Sequence, residues 1–527
     1  MISPVSFRIY TDEKIIVCFD EFVCSPGIYT FHPNSLKMTD QDQKPAIFHE
    51  ALADYRQIRD KAGVFLTENF TDLPAIRASE RQMTGALRSE YRRLLLLKVF
   101  KTDIEQETFK LIRFFFLRER RENVGFHDYS KYLRRFMNRN RQKMKKPWNP
   151  KPDITFDEVI AEMTSRIAPP WDDPCPVLNE WIPMKIRESA KVIPADILKR
   201  GGIGKIFRVI SGVFLYALTD LESDTPLEEA KQRIDRALKS GFYFGLLYPL
   251  ADDILDSGHH LSSVDKNEVL RLMNHWIGGD FETPNGLDIK PSVSALKKAL
   301  RELYELYGPE ERKELIRLSY LLHFAQMEDQ QKEDGKEYSL SDIYAPALLK
   351  AAFTRMISCW FSGTRLTVEM NNDIMETGLV FQMMDDFPDM ADDRNEGCFT
   401  SFTHYYSCDG HKPLNPWLVY LRALDLFIRK SPNITVCSRA LLRRVSLSIR
   451  YFMPDDRSPD SIDYLGVILS ESPESERIVK KIIEIKMKAV DPEMALFEPV
   501  DVFFKSWNGH TPFIAGMQGL SKAETAE

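Results

Sequence analysis

The chain has 527 residues, 43% of them hydrophobic and 28% charged, which excludes a disordered polymer and leaves room for two to four domains. Its 71 basic and 78 acidic residues give a net charge of −7, against a whole-chain nucleic-acid binder. No apolar run approaches the ~18 residues of a membrane span, and the first twenty residues do not read as a secretory signal. Seven cysteines, an odd number without metal-ligand spacing, fit neither a disulfide framework nor a zinc site and point to a reducing cytoplasm.

Residues 1 to about 35 predict one or two short strands or an irregular arm, with Ile15-Ile16-Val17 and Ile28-Tyr29-Thr30 broken at Ser25-Pro26-Gly27. From about residue 80 the pattern turns helical, through Leu94–Leu97 and then Phe109, Ile112, Phe115 and Phe116. Residues 110–146 carry 13 Lys or Arg against 3 acidic residues and end at a proline-rich linker over 147–152. A solvated helical face is the leading reading of that stretch. Contact with an acidic surface of the same chain, or with an anionic membrane, comes next, and RNA binding is disfavoured. From about 185 to 500 the sequence predicts amphipathic helices broken at Gly201-Gly202, Pro284-Asn285-Gly286 and Pro309. The expectation is all-α: an N-terminal region over 1–185 and a helical domain over 186–527, large enough to enclose an apolar cavity.

Two segments carry chemistry. Asp252-Asp253-Ile254-Leu255-Asp256 follows the apolar run Phe242–Leu250, and Asp385-Asp386-Phe387-Pro388-Asp389 follows Leu379–Met384. In each DDxxD, the first and last aspartates stand at i and i+4, on one face of a helix. One such motif reads equally well as a solvated acidic helix end. That bland reading does not predict two copies placed alike, each beside apolar turns where carboxylates repel one another and lose hydration. A hard divalent cation relieves that repulsion. Mg2+ takes one or two carboxylates, keeps several waters and completes its shell with phosphate oxygens, so a diphosphate held between the clusters is the economical reading.

On these residues the sequence resembles the trans-isoprenyl diphosphate synthases and the class I terpene synthases that share their helical-bundle fold. Further elements fall in family order. Gly204-Lys205-Ile206-Phe207-Arg208 is similar to the G-K-x-x-R element that holds isopentenyl diphosphate. Gln326 and Asp329 lie in a GQxxD-like helix, and Lys350 stands at the Lys of the Lys-Thr pair. Gln382 precedes Asp385 as in FQxxDD, and Glu396-Gly397-Cys398-Phe399-Thr400 resembles EGKFS. The resemblance covers about 195–405 and does not reach 1–185. It implies Mg2+ held by Asp252, Asp256, Asp385 and Asp389, with Asp253 and Asp386 completing the catalytic clusters. It also implies that a prenyl diphosphate loses its diphosphate to give an allylic cation.

The departures bear on the fate of that cation. No Arg-Arg pair comes after Asp256, where the chain reads Ser257-Gly258-His259-His260. Ala351 replaces the Thr of Lys-Thr, and Cys398 replaces the Lys of EGK. Losing the arginines favours a terpene synthase slightly. Retaining Lys205 and Arg208 keeps open a chain-elongating prenyltransferase that uses isopentenyl diphosphate, and the degraded cation sites keep open a non-catalytic prenyl-diphosphate-binding subunit. Tyr248, Gly245 and Phe244, at i−4, i−7 and i−8 from Asp252, are expected to line the cavity. By family analogy Tyr248 limits chain length. Phe353 and Trp360 are read first as core. Pro249 and Pro388 are expected to kink their helices. Arg394 is expected to reach the diphosphate in place of the missing lysine, or to sit solvated, and Arg355 invites the same two readings. The sequence leaves homo-oligomer formation open.

Overall fold

The computed structural model describes residues 46–99, 135–136, 155–199, 201–222, 224–255, 263–282, 291–330, 332, 336–408, 412–430, 434–450 and 459–484. Among these residues every regular element is helical, as the sequence pattern predicts. The expected strands near the start, the linker over 147–152 and the breaker Pro284-Asn285-Gly286 lie outside the described residues. So does the basic stretch, apart from Arg135 and Phe136.

The chain opens with α1 (Ala46–Phe70) and α2 (Leu73–Val99). Helix α1 buries Phe48, Ala51, Tyr55, Ala62, Leu66 and Phe70, a stripe at helical spacing. Helix α3 (Phe156–Arg166) starts at a capping box between Thr155 and Glu158. A π-helical turn, Val177–Trp181, leads into α4 (Ile182–Ala190), and α5 (Ala195–Lys199) follows. Gly201, at φ +88°, then turns the chain into α6 (Gly202–Asp220). Next come α7 (Leu227–Leu255), α8 (Ser263–Ile277), α9 (Pro291–Glu305) and α10 (Pro309–Gln330). Helix α11 (Leu340–Phe361) is capped by Ser339 and Asp342, and α12 (Val368–Glu396) ends at Gly397 in the left-handed conformation. The described chain closes with α13 (Ser401–Ser407), α14 (Pro416–Arg429), α15 (Ile434–Arg450), α16 (Pro459–Leu469) and α17 (Pro473–Ile483).

Helix α11 is the axis of the bundle. It packs against α1, α6, α7, α10 and α12 and is apolar nearly all round, burying Tyr344, Leu348, Leu349, Ala352, Phe353 and Met356. Helix α6 is long and apolar enough to cross a membrane by composition, with a mean hydropathy of 1.4, but 72% of it is buried within the bundle. It runs antiparallel to α7: a Cβ on Gly241 would meet Ile210 Cα at 3.0 Å, and one on Gly245 would meet the Ile206 carbonyl at 2.9 Å.

The N-terminal helices belong to the same body. Buried residues of α1 and α2 lie in the same hydrophobic core as those of the described helices after residue 185. Helix α2 packs on α14, α15 and α17. Ser79 Oγ donates to Asp425 Oδ2 at 2.5 Å, and Glu90 pairs with Arg443, both nearly sealed from solvent.

Candidate functional site

The second acidic motif sits on α12, whose inner stripe is Met383, Met384, Phe387 and Met390. The i, i+4 spacing turns Asp385 and Asp389 outward, where both are exposed, while Asp386 is half-buried. Gln382, one turn earlier, donates from Nε2 to Asp386 Oδ1 at 2.7 Å. Burial pushes the Asp386 carboxyl up to about 7. The Gln382 hydrogen bond and the Lys350 ammonium oppose that shift, and the charges of Asp329 and Asp385 reinforce it. Three helices therefore bring their chemistry together here: α10 with Asp329, α11 with Lys350, and α12 with Gln382, Asp385 and Asp386.

The first motif lies at the C-terminal end of α7. The side chains of Asp252 and Asp253, and Asp256 altogether, lie outside the described residues. The backbone direction is nevertheless clear. Tyr248 Oη donates to Thr354 Oγ1 at 3.3 Å, and Phe244 meets Phe361 edge-on at 5.4 Å, so α7 and α11 run antiparallel. One turn beyond Tyr248 is Asp252, and one turn before Thr354 is Lys350. The helix carrying the first motif thus ends level with Lys350, which acts on Asp386 of the second. Helix α6 brings its first turns to that end of α7, with Gly204 buried, Lys205 half-buried and Arg208 exposed.

Other candidates have defined surroundings. Tyr248 is half-buried against Phe244, their rings 5.4 Å apart. Gly245, expected to line a cavity, is instead pressed on the Ile206 backbone, because that face of α7 receives α6. Phe353 is fully buried core and Trp360 packs on Tyr307 at 4.6 Å. Gln326 is half-buried on α10, one turn before Gln330 at the helix end. Arg394 lies over the rings of Tyr406 and Tyr464, at 3.9 and 5.1 Å. Arg355 stacks on Phe381 at 4.2 Å and donates to Thr377 Oγ1 at 2.7 Å, tying α11 to α12. Helices α7 and α12 continue through Pro249 and Pro388.

Sequence reasoning missed Lys332. Its side chain is only 5% exposed, and its ammonium is 2.8 Å from Asp329 Oδ1, 3.4 Å from the Ile343 carbonyl and 4.9 Å from the Phe399 ring centre. A lysine three residues past an aspartate was the available signal. It also missed Tyr55, Arg59 and Glu328, whose partners lie too far apart in sequence for any local pattern.

A hard divalent cation would meet Asp385 and Asp386 here, because Asp329 already pairs with Lys332 at 2.8 Å. Asp329, Asp385 and Asp386 share one neighbourhood, with Lys350 close enough to act on Asp386. The raised proton affinity of Asp386 reflects its burial first and the negative charge of the other two second. No three His, Cys, Asp or Glu side chains among the described residues converge as a metal cluster of their own. Mg2+ needs no such cluster, since water and phosphate oxygens complete its shell.

No protein-family model matches the chain, and no curated protein does. Among solved structures, it is similar to a polyprenyl synthase from Caulobacter crescentus CB15 complexed with calcium and isoprenyl diphosphate. The match has 16% identity and a TM-score of 0.27, over 72% of this chain and 98% of that one. A likeness at this level assigns neither family nor ligand.

Proposed function

We propose that the chain is a Mg2+-dependent enzyme that ionises an allylic prenyl diphosphate with loss of diphosphate, acting as a class I isoprenoid synthase of the terpene synthase kind. The observation that carries this reading is the meeting of Asp329, Lys350, Asp385 and Asp386 at the end of α7 that bears Asp252 and Asp253. Bound Mg2+ would supply charge neutralisation to the departing diphosphate, with Asp252, Asp256, Asp385 and Asp389 as its holders. Lys350 adds a fixed cation on the same side. Gln382 holds Asp386 by a hydrogen bond and so orients the second motif. Tyr248, half-buried one turn before Asp252 and backed by Phe244, would present an aromatic ring to an allylic cation, with cation–π attraction of ~0.5–2 kcal/mol.

A second reading, chain elongation with isopentenyl diphosphate, is favoured by one observation: the antiparallel packing of α6 on α7 brings Lys205 and Arg208 to the same end of the bundle. Incubation with geranyl, farnesyl and geranylgeranyl diphosphates and Mg2+, with and without isopentenyl diphosphate, separates the two. Hydrocarbon or alcohol formed without the co-substrate supports the synthase, and a longer diphosphate formed only with it supports elongation. Asp252→Ala and Asp385→Ala should each abolish turnover. Diphosphate release that survives both changes, or none from any substrate, would sink the catalytic proposal and leave a binding subunit.

A further inference from the structure

Helix α1 lies outside the part of the chain that carries the resemblance, yet it reaches the candidate site. Tyr55 and Arg59 stand one turn apart on its inner face. Tyr55 Oη donates to Glu328 Oε2 at 2.6 Å, and Arg59 Nε donates to Glu328 Oε1 at 3.1 Å. The same guanidinium reaches Asp342 Oδ1 at 2.9 Å and Ser341 Oγ at 3.0 Å. Glu328 immediately precedes Asp329. Asp342 belongs to the capping box that starts α11, two turns before Lys350. One planar fork therefore clamps the end of α10 to the start of α11, the two helices that bring Asp329 and Lys350 to Asp386.

Two further observations agree. A Cβ on Gly63, one turn past Arg59, would come within 2.8 Å of Ser341 Oγ, so the Ser341 hydroxyl that Arg59 holds lies directly against α1. The Tyr55 hydroxyl is held well above its ordinary pKa. Burial is the main cause and the Glu328 charge and hydrogen bond come next; Arg59 opposes the shift and Asp329 adds to it, so Tyr55 lies within electrostatic reach of the site.

We infer that Tyr55 and Arg59 are positioning residues of the candidate site: by holding Glu328 and the first turn of α11 in one grip, they set the spacing of Asp329 and Lys350 around the second aspartate motif. This rests on the function proposed above. Both residues act through Glu328, and Arg59 also through Ser341 and Asp342. A brace at this distance from a metal-diphosphate site acts like the outer partners of metal ligands, whose loss lowers metal affinity or activity by roughly 10–100-fold.

The test measures kcat, KM for the prenyl diphosphate, and the Mg2+ concentration giving half-maximal rate, for wild type, Tyr55→Phe, Arg59→Lys and Arg59→Gln, with thermal unfolding of each. Tyr55→Phe removes one hydroxyl and should leave the fold intact. Both Arg59 variants should lower kcat or raise the Mg2+ requirement by roughly tenfold or more while KM changes by less than about threefold. Arg59→Lys should recover little, because an ammonium cannot grip Glu328 and Asp342 together. A lowered unfolding temperature with kcat and Mg2+ requirement unchanged would show that the clamp is only a brace, overturning this inference and leaving the proposed activity standing. If the wild type turns over no prenyl diphosphate, the activity falls. Calorimetric titration of the full-length proteins with Mg2+ and inorganic diphosphate then decides the inference: weaker binding in the variants upholds it, and equal or absent binding throughout overturns it.

Discussion

The backbone of Gly378 lies so near the carbonyl oxygen of Leu348 that a Cβ at residue 378 would meet it at 2.5 Å. This contact seats α12 on α11 two turns before Asp385, and no side-chain rotation relieves it, since the obstacle is main chain. Gly378→Ala is expected to destabilise the protein by about 1–3 kcal/mol and to reduce turnover, because the displaced helix carries the aspartates. Gly85 is the control. A Cβ there meets nothing within 4 Å, so Gly85→Ala on α2 should stabilise by roughly 0.5–1 kcal/mol. Chemical denaturation of both variants checks the contrast, and equal effects would discard the close-packing argument.

Tyr248 stands one turn before Asp252 with its hydroxyl on Thr354. On the proposed function, Tyr248→Ala should admit longer prenyl chains or release longer products, while Tyr248→Phe should keep the wild-type profile. Mass spectrometry of products reads both. An unchanged profile in the alanine variant would remove Tyr248 as the floor of the site.

His323 is buried on α10 beside Phe324, and burial lowers its pKa from 6.5 to about 4. The unfolded chain therefore takes up this proton before the folded one does. Stability is fully present above about pH 7 and is lost as the pH falls from 6.5 towards 4, by on the order of 3 kcal/mol. Across that range the denaturant midpoint of the wild type should fall by more than that of His323→Met. Parallel curves would show that His323 carries no part of the acid sensitivity.

The Glu90–Arg443 pair joins α2 to α15 with 4% and 1% of the side chains exposed. Arg443→Ala removes a close partner of a buried carboxylate and is expected to destabilise by about 3–5 kcal/mol. Replacing both residues by leucine should restore most of that. Equal losses in the single and double variants would contradict the burial argument.

What the sequence made legible was local. Gln382, Asp386 and the i, i+4 aspartates are periodic along one helix, and Gly201-Gly202 and Pro309 mark helix starts, so a single segment contains the information. Gly245 shows where periodicity stops. It shares a helix with Tyr248 only one turn away, yet it meets Ile206 while Tyr248 meets Thr354, and the choice between neighbours depends on which helix docks there. Arg59 and Glu328 are 269 residues apart, so nothing in the spacing of either predicts the other. The packing of α1 and α2 into the common core is likewise long-range, so no local pattern announces it.

The hydrogen bond from Ser79 to Asp425 spans 346 positions of the chain, and it has a consequence for biosynthesis. At ~5–20 residues per second, α2 leaves the ribosome tens of seconds before α14, α15 and α17 exist to cover it. During that interval the face of α2 that packs on those helices has no native partner, and the nascent polypeptide carries it uncovered until α14, α15 and α17 have been translated.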